Sequence, residues 1–567
     1  MSYEWTGTYR GILKGLVEDM SASEIARLAD CAVSSVTRVV SGERPLTRDM
    51  CERLVAGCGK HLNRTEISQL REDANTIALA LSRGKEEEIE EREMSSSEKR
   101  RLTMAQKHFY RHVSKEVNKG TFLVTTAMQG ADVFELGLSA CETFCAVNKA
   151  RLIVLPSQAH HAPLGEREYP LDANLIESHW QDIYRSFQFN KFLTASDLDV
   201  RPYQPDPLQA LSTLGADIGH SYIVAHPTQR LKSYHGEQQP RIQWATGSIT
   251  LPKYKPTTSG KLAATRHILG ALVVEIDADK FFIRPVQFSD DGSFYDIAGG
   301  KARKYMPKLK YQENGPKKLE IRASLLARGD EHAGWGDPSV LSAADELTKL
   351  VQPMNVTVED LWDCSSVSHH TEKKLLERIS LPGHVATLEA EAATAASVLA
   401  RIVSTAPSDC TVVIKPSNHH RHLTDYLDYR RYVNDFVNYK FAIKLEYMRV
   451  HAGKDPVRYV CDPEGKARWL GQDESFKVEG IEYGQHLHFG PGGSRGTTRS
   501  AATSYGKAGG GHQHGAEILW GVWRTGTMTG RRLSYNKGPN NWGNALEVLW
   551  PGGQRQLIFI IDGKFCL

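Results

Sequence analysis

Apolar positions recur along this chain with two different periods, and the switches between them lay out its elements. Over SASEIARLADCAVSSVTRVVSG, the residues Ile25, Ala26, Leu28, Ala29, Val33, Val36, Val39 and Val40 fall at helical spacing. Ser21 or Ser23 is placed to cap the first helix, with Glu24 in its first turn. The pattern predicts two short helices joined by a tight turn around Cys31 and Ala32, followed by SGERPLTRDMCERLVAGCG, in a helical domain over 1–80. The next stretch, KEEEIEEREMSSSEKRR, changes sign along its length and reads as a solvated helix or linker, set at 81–104.

From 105 to 315 the period alternates. FLVTTAMQG reads as a strand and turn, DVFELGLSACETFCAVN as an amphipathic helix and RLIVLP as a buried strand, together a βαβ unit. SYIVAHP, ILGALVVEID and KFFIRPVQF add strands. In 316–567 the runs LEIRASLLA, MNVTV and TVVIK each lead into a polar motif, and SVLSAADELTKLVQ is helical between the first two. The predicted fold is therefore multidomain: a helical N-terminal module, a middle α/β domain over 105–315, and a C-terminal α/β domain over 316–567.

A length of 567 residues suits about two to four domains. The net charge of +3 excludes a whole-protein field for nucleic acid, so any such surface must be a local patch. Nine scattered cysteines with no CxxC suit a reducing cytoplasm. The N-terminus lacks a signal-peptide core and no run approaches the roughly 20 apolar residues of a membrane span. The expectation is a soluble cytoplasmic protein with no membrane partner.

The candidate chemistry lies between Leu325 and Gly515, in five motifs: Asp330 and His332; Asp360 and Asp363; Asn418, His419 and His420; His486 and His488; His512 and His514. The first three stand at predicted carboxyl ends of strands, where ligands bind in α/β sheets. Hydrolysing a phosphodiester needs charge neutralisation and an activated nucleophile. Two divalent metals roughly 3.5 to 4 Å apart supply both, with a carboxylate between the ions and imidazoles or carboxamides around them. On this reading Asp330 and His332 chelate one ion, joined by His514. Asp360, which ends the β-branched run, bridges. Asn418, His486 and His512 complete the second ion. His419 stabilises the transition state or protonates the leaving group, and Asp363, one short turn from Asp360, supports the catalytic set.

The ordered set resembles the calcineurin-like metallophosphoesterase superfamily, whose pattern is DxH, GDxxD, GNH(D/E), a lone His and GHxH. Glu359 replaces the first Gly of GDxxD, Ser417 the Gly of GNH, and His420 the acidic residue after it. These changes alter turn flexibility without removing a ligand. Over about 320–567, EDLWDCSSVSHH, KPSNHHRHLTDYLDYRRYVND, QHLHFGPGGSRGT, GGHQHGAEILWGVWRTGTM and IDGKFCL resemble the metallophosphoesterase of tailed-phage early DNA-degradation proteins. That resemblance implies a phage or prophage source, helices flanking two packed sheets in a four-layer α/β domain, and a DNA-directed nuclease using a two-metal-activated hydroxide. The metals it implies are Mn²⁺ first, with Mg²⁺, Fe²⁺ or Zn²⁺ as alternatives.

The N-terminal pattern resembles the repressor-type helix-turn-helix, which would set Ser34, Ser35, Thr37 and Arg38 toward base edges. Nine Lys/Arg against eight Asp/Glu over 1–65 give little phosphate attraction, so partner binding or self-association as a homo-oligomer stands beside DNA binding. QRLKSYHGEQQPRIQWATGSITLPKYKPTTSGK reads as a nucleic-acid surface or as an exposed basic loop. His161, His220, His226, His235 and His267 lack metal spacing and read as structural or surface residues. Arg495 and His488 are candidates for holding phosphate; a solvated Arg in a glycine-rich turn fits Arg495 equally. For His369, His370, His420, His422 and His488, helix capping or phosphate contact competes with ligation. The glycines at 490–496 and 509–511 lack a following GK[ST] and do not make a P-loop. The leading reading is a metal-dependent DNA nuclease. The alternatives are a phosphoesterase for a nucleotide or phosphoprotein, and a DNA-binding regulator that uses the fold as a scaffold.

Overall fold

The computed structural model describes residues 9–74, 112–157, 171–308 and 321–567, apart from 32, 42–45, 47, 197, 199, 237–239, 370, 372–373, 534–535 and 537. The chain forms two compact units, Met1–Lys99 and Arg100–Leu567. The expected linker at 81–104, His161 and His370 lie outside the described residues.

The first unit is helical: α1 Tyr9–Asp19, α2 Ala22–Leu28, α3 Val33–Ser41 and α4 Arg48–Cys58, with further helix over 64–74. Ser21 caps α2, its hydroxyl accepting from the Glu24 N–H at 3.2 Å. Beyond α2, Asp30 takes a left-handed φ of +48° and the Cys31 N–H returns to the Ala26 carbonyl at 2.9 Å, which turns the chain toward α3. Ile25, Ala26, Val36, Val39 and Leu54 close one core. That leaves Ser34, Thr37 and Arg38 exposed on α3 and Ser35 half-buried.

In the second unit the strands used below are β1 Lys119–Met128, β2 Arg151–Ser157, β3 Gln229–Tyr234, β4 Arg241–Thr246, β5 Gly270–Asp277, β6 Lys280–Gln287, β7 Leu325–Asp330, β8 Asn355–Glu359, β9 Thr411–Ile414, β10 Arg468–Trp469, β11 Ala508–Gly510, β12 Glu517–Leu519, β13 Val522–Arg524, β14 Ala545–Leu549 and β15 Arg555–Phe559. The helices are α5 Glu135–Asn148, α6 Pro338–Val351, α7 Leu388–Thr405, α8 Asn418–Asp428 and α9 Thr498–Tyr505. A six-stranded sheet runs β10-β9-β8-β7-β14-β15, its first four strands parallel. Alternation decides its faces. Leu326, Val356, Val358, Val412 and Val548 point to a helix layer that includes α6 and α7. Leu325, Ala327 and Leu549 point instead to a second sheet, meeting Ile481 and Tyr483. On that sheet's far side Ala501 of α9 packs on Ala508 and Val522. Helices, two sheets and a further helix thus make the expected four layers.

The expected boundary at 315/316 does not separate two domains. An eleven-stranded sheet takes strands from both segments, joined where β3 pairs antiparallel with β12, Leu231 opposite Ile518. One core mixes Phe122, Trp244 and Ile283 with Ile518, Trp523 and Phe559. The apolar runs that suggested a self-sufficient middle domain are buried against strands some three hundred residues away.

Candidate metal centre

Three neighbouring parallel strands deliver the first polar residues to one edge. Asp330 ends β7, Glu359 ends β8 with Asp360 next, and Lys415 follows β9. Helix α8 begins at Asn418, capped by Ser417, whose hydroxyl accepts from the His420 N–H. The loop after the strand Ile481–Glu482 brings His486, and the loop after β11 brings His512 and His514. Non-glycine residues in the left-handed region gather here: His332, Asp360, Leu487, His512 and His514 have φ between +41° and +73°. Such conformations cost about 1–3 kcal/mol each and persist where surrounding structure enforces them, often at functional sites.

The side chains converge in two groups. His332 Nε2 and His514 Nε2 are 3.0 Å apart, His514 Nε2 is 2.8 Å from Asp330 Oδ2, and His332 Nε2 is 3.9 Å from Asp360 Oδ2. On the other side His486 Nε2 and His512 Nδ1 each lie 3.0 Å from Asn418 Oδ1, and His486 Nε2 is 3.1 Å from Asp360 Oδ2. Asp360 stands between the groups, and neither of its buried carboxylate oxygens makes a well-formed hydrogen bond among the described residues. A buried carboxylate left so is costly unless a cation completes it. Donors at about 2.1 Å from one ion sit roughly 3 Å apart, the spacing seen here. Asp330, His332, Asp360 and His514 form one ligand group able to hold a metal.

Carboxylates behind the imidazoles fix their orientation. Asp363 Oδ1 lies 2.5 Å from His332 Nδ1 and 3.0 Å from His419 Nδ1. Asp363 thus reaches the site through two histidines and acts as a positioning residue. Glu359 is the residue that sequence reasoning missed. Read as a change in turn flexibility, it is instead a fully buried acceptor for His486 Nδ1 at 2.7 Å and the Gly511 N–H at 2.6 Å, paired with Lys415 Nζ at 2.8 Å. The available signal was a pair of opposite charges ending two neighbouring apolar runs, NVTVE and TVVIK. Gly511 is required by space, because a Cβ there would fall on Asp330 Oδ1.

Burial works against charge throughout the site, and the imidazoles overcome it for the acids. His514 and His486 hold Asp330 down to about 2, and His486 and His419 hold Asp360 well below the carboxylate range. His419 is pushed up to about 10 by Asp360 and Asp363 against its burial. Burial, with His486 beside it, takes His512 down to about 3 and His488 to about 4.

The remaining candidates divide. His488 sits at the edge, its ring 5.4 Å from His486 and 5.9 Å from His512. Arg495 is exposed on a loop closed by the Phe489–Arg495 bridge, and no described contact joins it to the imidazoles. His420 accepts from the Trp362 N–H at 3.4 Å and is structural. His369, His422 and His419 form a row of edge-to-face rings leading outward from the centre. His220 and His267 bond the carbonyls of Lys191 and Thr250, and His226 that of Arg201.

No family model matches the chain. Protein A1 of Escherichia phage T5 is 29% identical over 399 residues, spanning 66% of this chain and 69% of that protein. A single mutant of Vps29 from Entamoeba histolytica aligns with 33% of this chain and 98% of its own at 13% identity, with a TM-score of 0.19, too low to bear on the fold. No helix among the described residues is long and apolar enough to cross a membrane.

Proposed function

We propose that this chain is a metal-dependent phosphodiesterase that cleaves DNA, holding two divalent ions, Mn²⁺ foremost, in the centre around Asp360. The observation that carries this reading is the buried Asp360 carboxylate, its oxygens without a well-formed hydrogen bond among the described residues, between two convergent N/O donor groups. Asp330, His332 and His514 would hold one ion and Asn418, His486 and His512 the other, with Asp360 shared. Bound there, the ions would neutralise phosphoryl oxygens and make a water acidic enough to attack at neutral pH. The chain's own groups do the rest. Glu359 and Asp363 fix the His486 and His332 rings so that Nε2 faces inward. His419, held at Nδ1 by the Asp363 carbonyl and carboxylate, keeps Nε2 4.0 Å from Asp360 Oδ2, where it can give a proton to the leaving oxygen.

DNA as substrate rests on the resemblance of residues 320–567 to tailed-phage early DNA-degradation proteins and on the helical first unit with Ser34, Thr37 and Arg38 exposed on α3. Purified protein should cleave linear and supercoiled DNA with Mn²⁺ and stop with chelator. Turnover of bis-para-nitrophenyl phosphate without DNA cleavage would move the substrate to a nucleotide or phosphoprotein. Operator-like footprinting indifferent to chelator would favour the regulator.

A further inference from the structure

The second unit repeats itself. Sheet β6-β5-β1-β2 has the order and strand senses of β15-β14-β7-β8: antiparallel, antiparallel, parallel. Apart from its edge strand His112–Val113, the eleven-stranded sheet is palindromic about the β3–β12 junction. On one side, Ser186–Asn190, Leu193–Ser196, Ser221–Val224, β4 and β3 pair antiparallel, parallel, parallel and antiparallel. On the other, Lys477–Val478, Ile481–Glu482, β11, β13 and β12 pair in the same senses. Trp244-Ala-Thr-Gly-Ser-Ile-Thr250 matches Trp523-Arg-Thr-Gly-Thr-Met-Thr529, and the two segments make the same backbone bonds to β1 and β7. The Thr126 N–H donates to the Gly247 carbonyl and the Asp330 N–H to that of Gly526; Ile249 and Met528 return the bond to Thr126 and Asp330. Helices α5 and α6 each run 14 residues to a left-handed cap.

These equivalences place Thr126 where the catalytic half has Asp330, Met128 where it has His332, and Thr228 where it has His514. Of these four described positions His226 alone, at the place of His512, keeps its residue type, and it is spent on the Arg201 carbonyl and the Thr228 N–H. The local two-fold passes between Leu231 and Ile518, so Arg230 and Glu517 are equivalent positions carrying opposite charges. A symmetric dimer would set like residues there; a single chain can set a pair. Arg230 forks onto Asp206 at 2.9 and 3.1 Å and reaches Glu517 at 2.9 Å. The other Glu517 oxygen accepts from Thr498, whose hydroxyl oxygen accepts from Arg524 Nε at 3.0 Å. Arg524 then donates to the carbonyls of Gly511 at 2.6 Å and Leu487 at 3.2 Å, each next to a metal-ligand histidine. Arg524 has Ala245 as its counterpart, so the chain of bonds serves one half only.

We propose that residues 112–305 are a metal-free duplicate of residues 321–567, retained as a built-in subunit that braces the metal loops through Arg230, Glu517, Thr498 and Arg524. These four are positioning residues, and the inference rests on the metal centre proposed above. The test is Mn²⁺ binding by calorimetry on the full chain. Thr498→Val and Glu517→Gln should weaken binding about 10- to 100-fold, the usual effect of losing outer support to a ligand, while far-UV circular dichroism stays unchanged. Thr498→Ser, which keeps the hydroxyl, should bind as wild type. Wild-type affinity in both Thr498→Val and Glu517→Gln would overturn the brace. Retention of two ions per chain in Asp330→Ala/Asp360→Ala would place metal in the first half and overturn the metal-free duplicate. Because the readout is metal binding and not turnover, the brace is judged separately from the assignment to phosphodiester hydrolysis.

Discussion

Replacing Glu359 by Gln separates two jobs that one carboxylate performs. Glu359 accepts from His486 Nδ1, the Gly511 N–H and Lys415 Nζ at 2.6 to 2.8 Å, and both it and Lys415 are wholly buried. Gln turns one oxygen into a donor and leaves the Lys415 ammonium without a counter-charge. Removing one member of a buried ion pair costs about 3–5 kcal/mol. Loss of the carboxylate behind a ligating imidazole costs about 10- to 100-fold in metal affinity. Guanidinium unfolding of the metal-free protein reads the first effect and Mn²⁺ calorimetry the second. The double variant Glu359→Gln/Lys415→Met removes both charges, so stability should return to within about 1–2 kcal/mol of wild type. Metal affinity should stay low, because His486 still lacks the carboxylate whose charge raises its basicity. A single variant unchanged in both measurements, or a double variant that regains metal affinity with stability, would show that Glu359 does not hold the two roles.

Other outcomes follow from the same geometry. His419→Gln should lower the phosphodiester rate about 10²- to 10⁴-fold at saturating metal with metal affinity unchanged; an equal loss of metal binding would make His419 a ligand. Gly511→Ala should destabilise by about 1–3 kcal/mol and impair metal binding, since its Cβ would fall on Asp330 Oδ1 and lie 3.0 Å from Glu359 Oε2; a melting curve and a metal titration matching wild type would contradict this. Burial pushes the Glu391 carboxyl up to about 8 from its ordinary 4.5, against hydrogen bonds from Ser366. Between those values the folded protein keeps a proton that the unfolded chain releases. Stability therefore falls as pH rises from about 5 to about 8, by at most ~1.4 kcal/mol per pH unit for this group. Glu391→Gln should flatten that fall, and identical slopes for the two proteins in chemical unfolding would contradict it.

The site was readable in the sequence to the extent that strands deliver their last residue to a fixed edge. Asp330 and Asp360 follow β-branched or apolar runs, and the structure places them where that rule sets them. Asp363 lay four residues past β8, and only the fold shows it reaching back to His332 and His419. A Gly-to-Glu change at a turn reads as lost flexibility, which hides the role of Glu359; its partner Lys415 follows a strand whose neighbour is known only once the sheet order is known. The boundary at 315/316 failed for a related reason. Periodicity reports local elements and face burial, and it does not record that Leu231 and Ile518 meet across a sheet junction. The Trp244–Thr250 and Trp523–Thr529 segments carried the repeat in plain letters, yet seven residues acquire meaning only through the bonds they share.

The most direct test of the account measures metal content and DNA cleavage on one preparation of wild type and Asp360→Ala. Wild type should carry two Mn²⁺ ions per chain and show chelator-sensitive cleavage, with both the two-ion occupancy and cleavage lost in Asp360→Ala. Wild-type cleavage that persists in chelator, or an Asp360→Ala protein that keeps both ions and full activity, would contradict it.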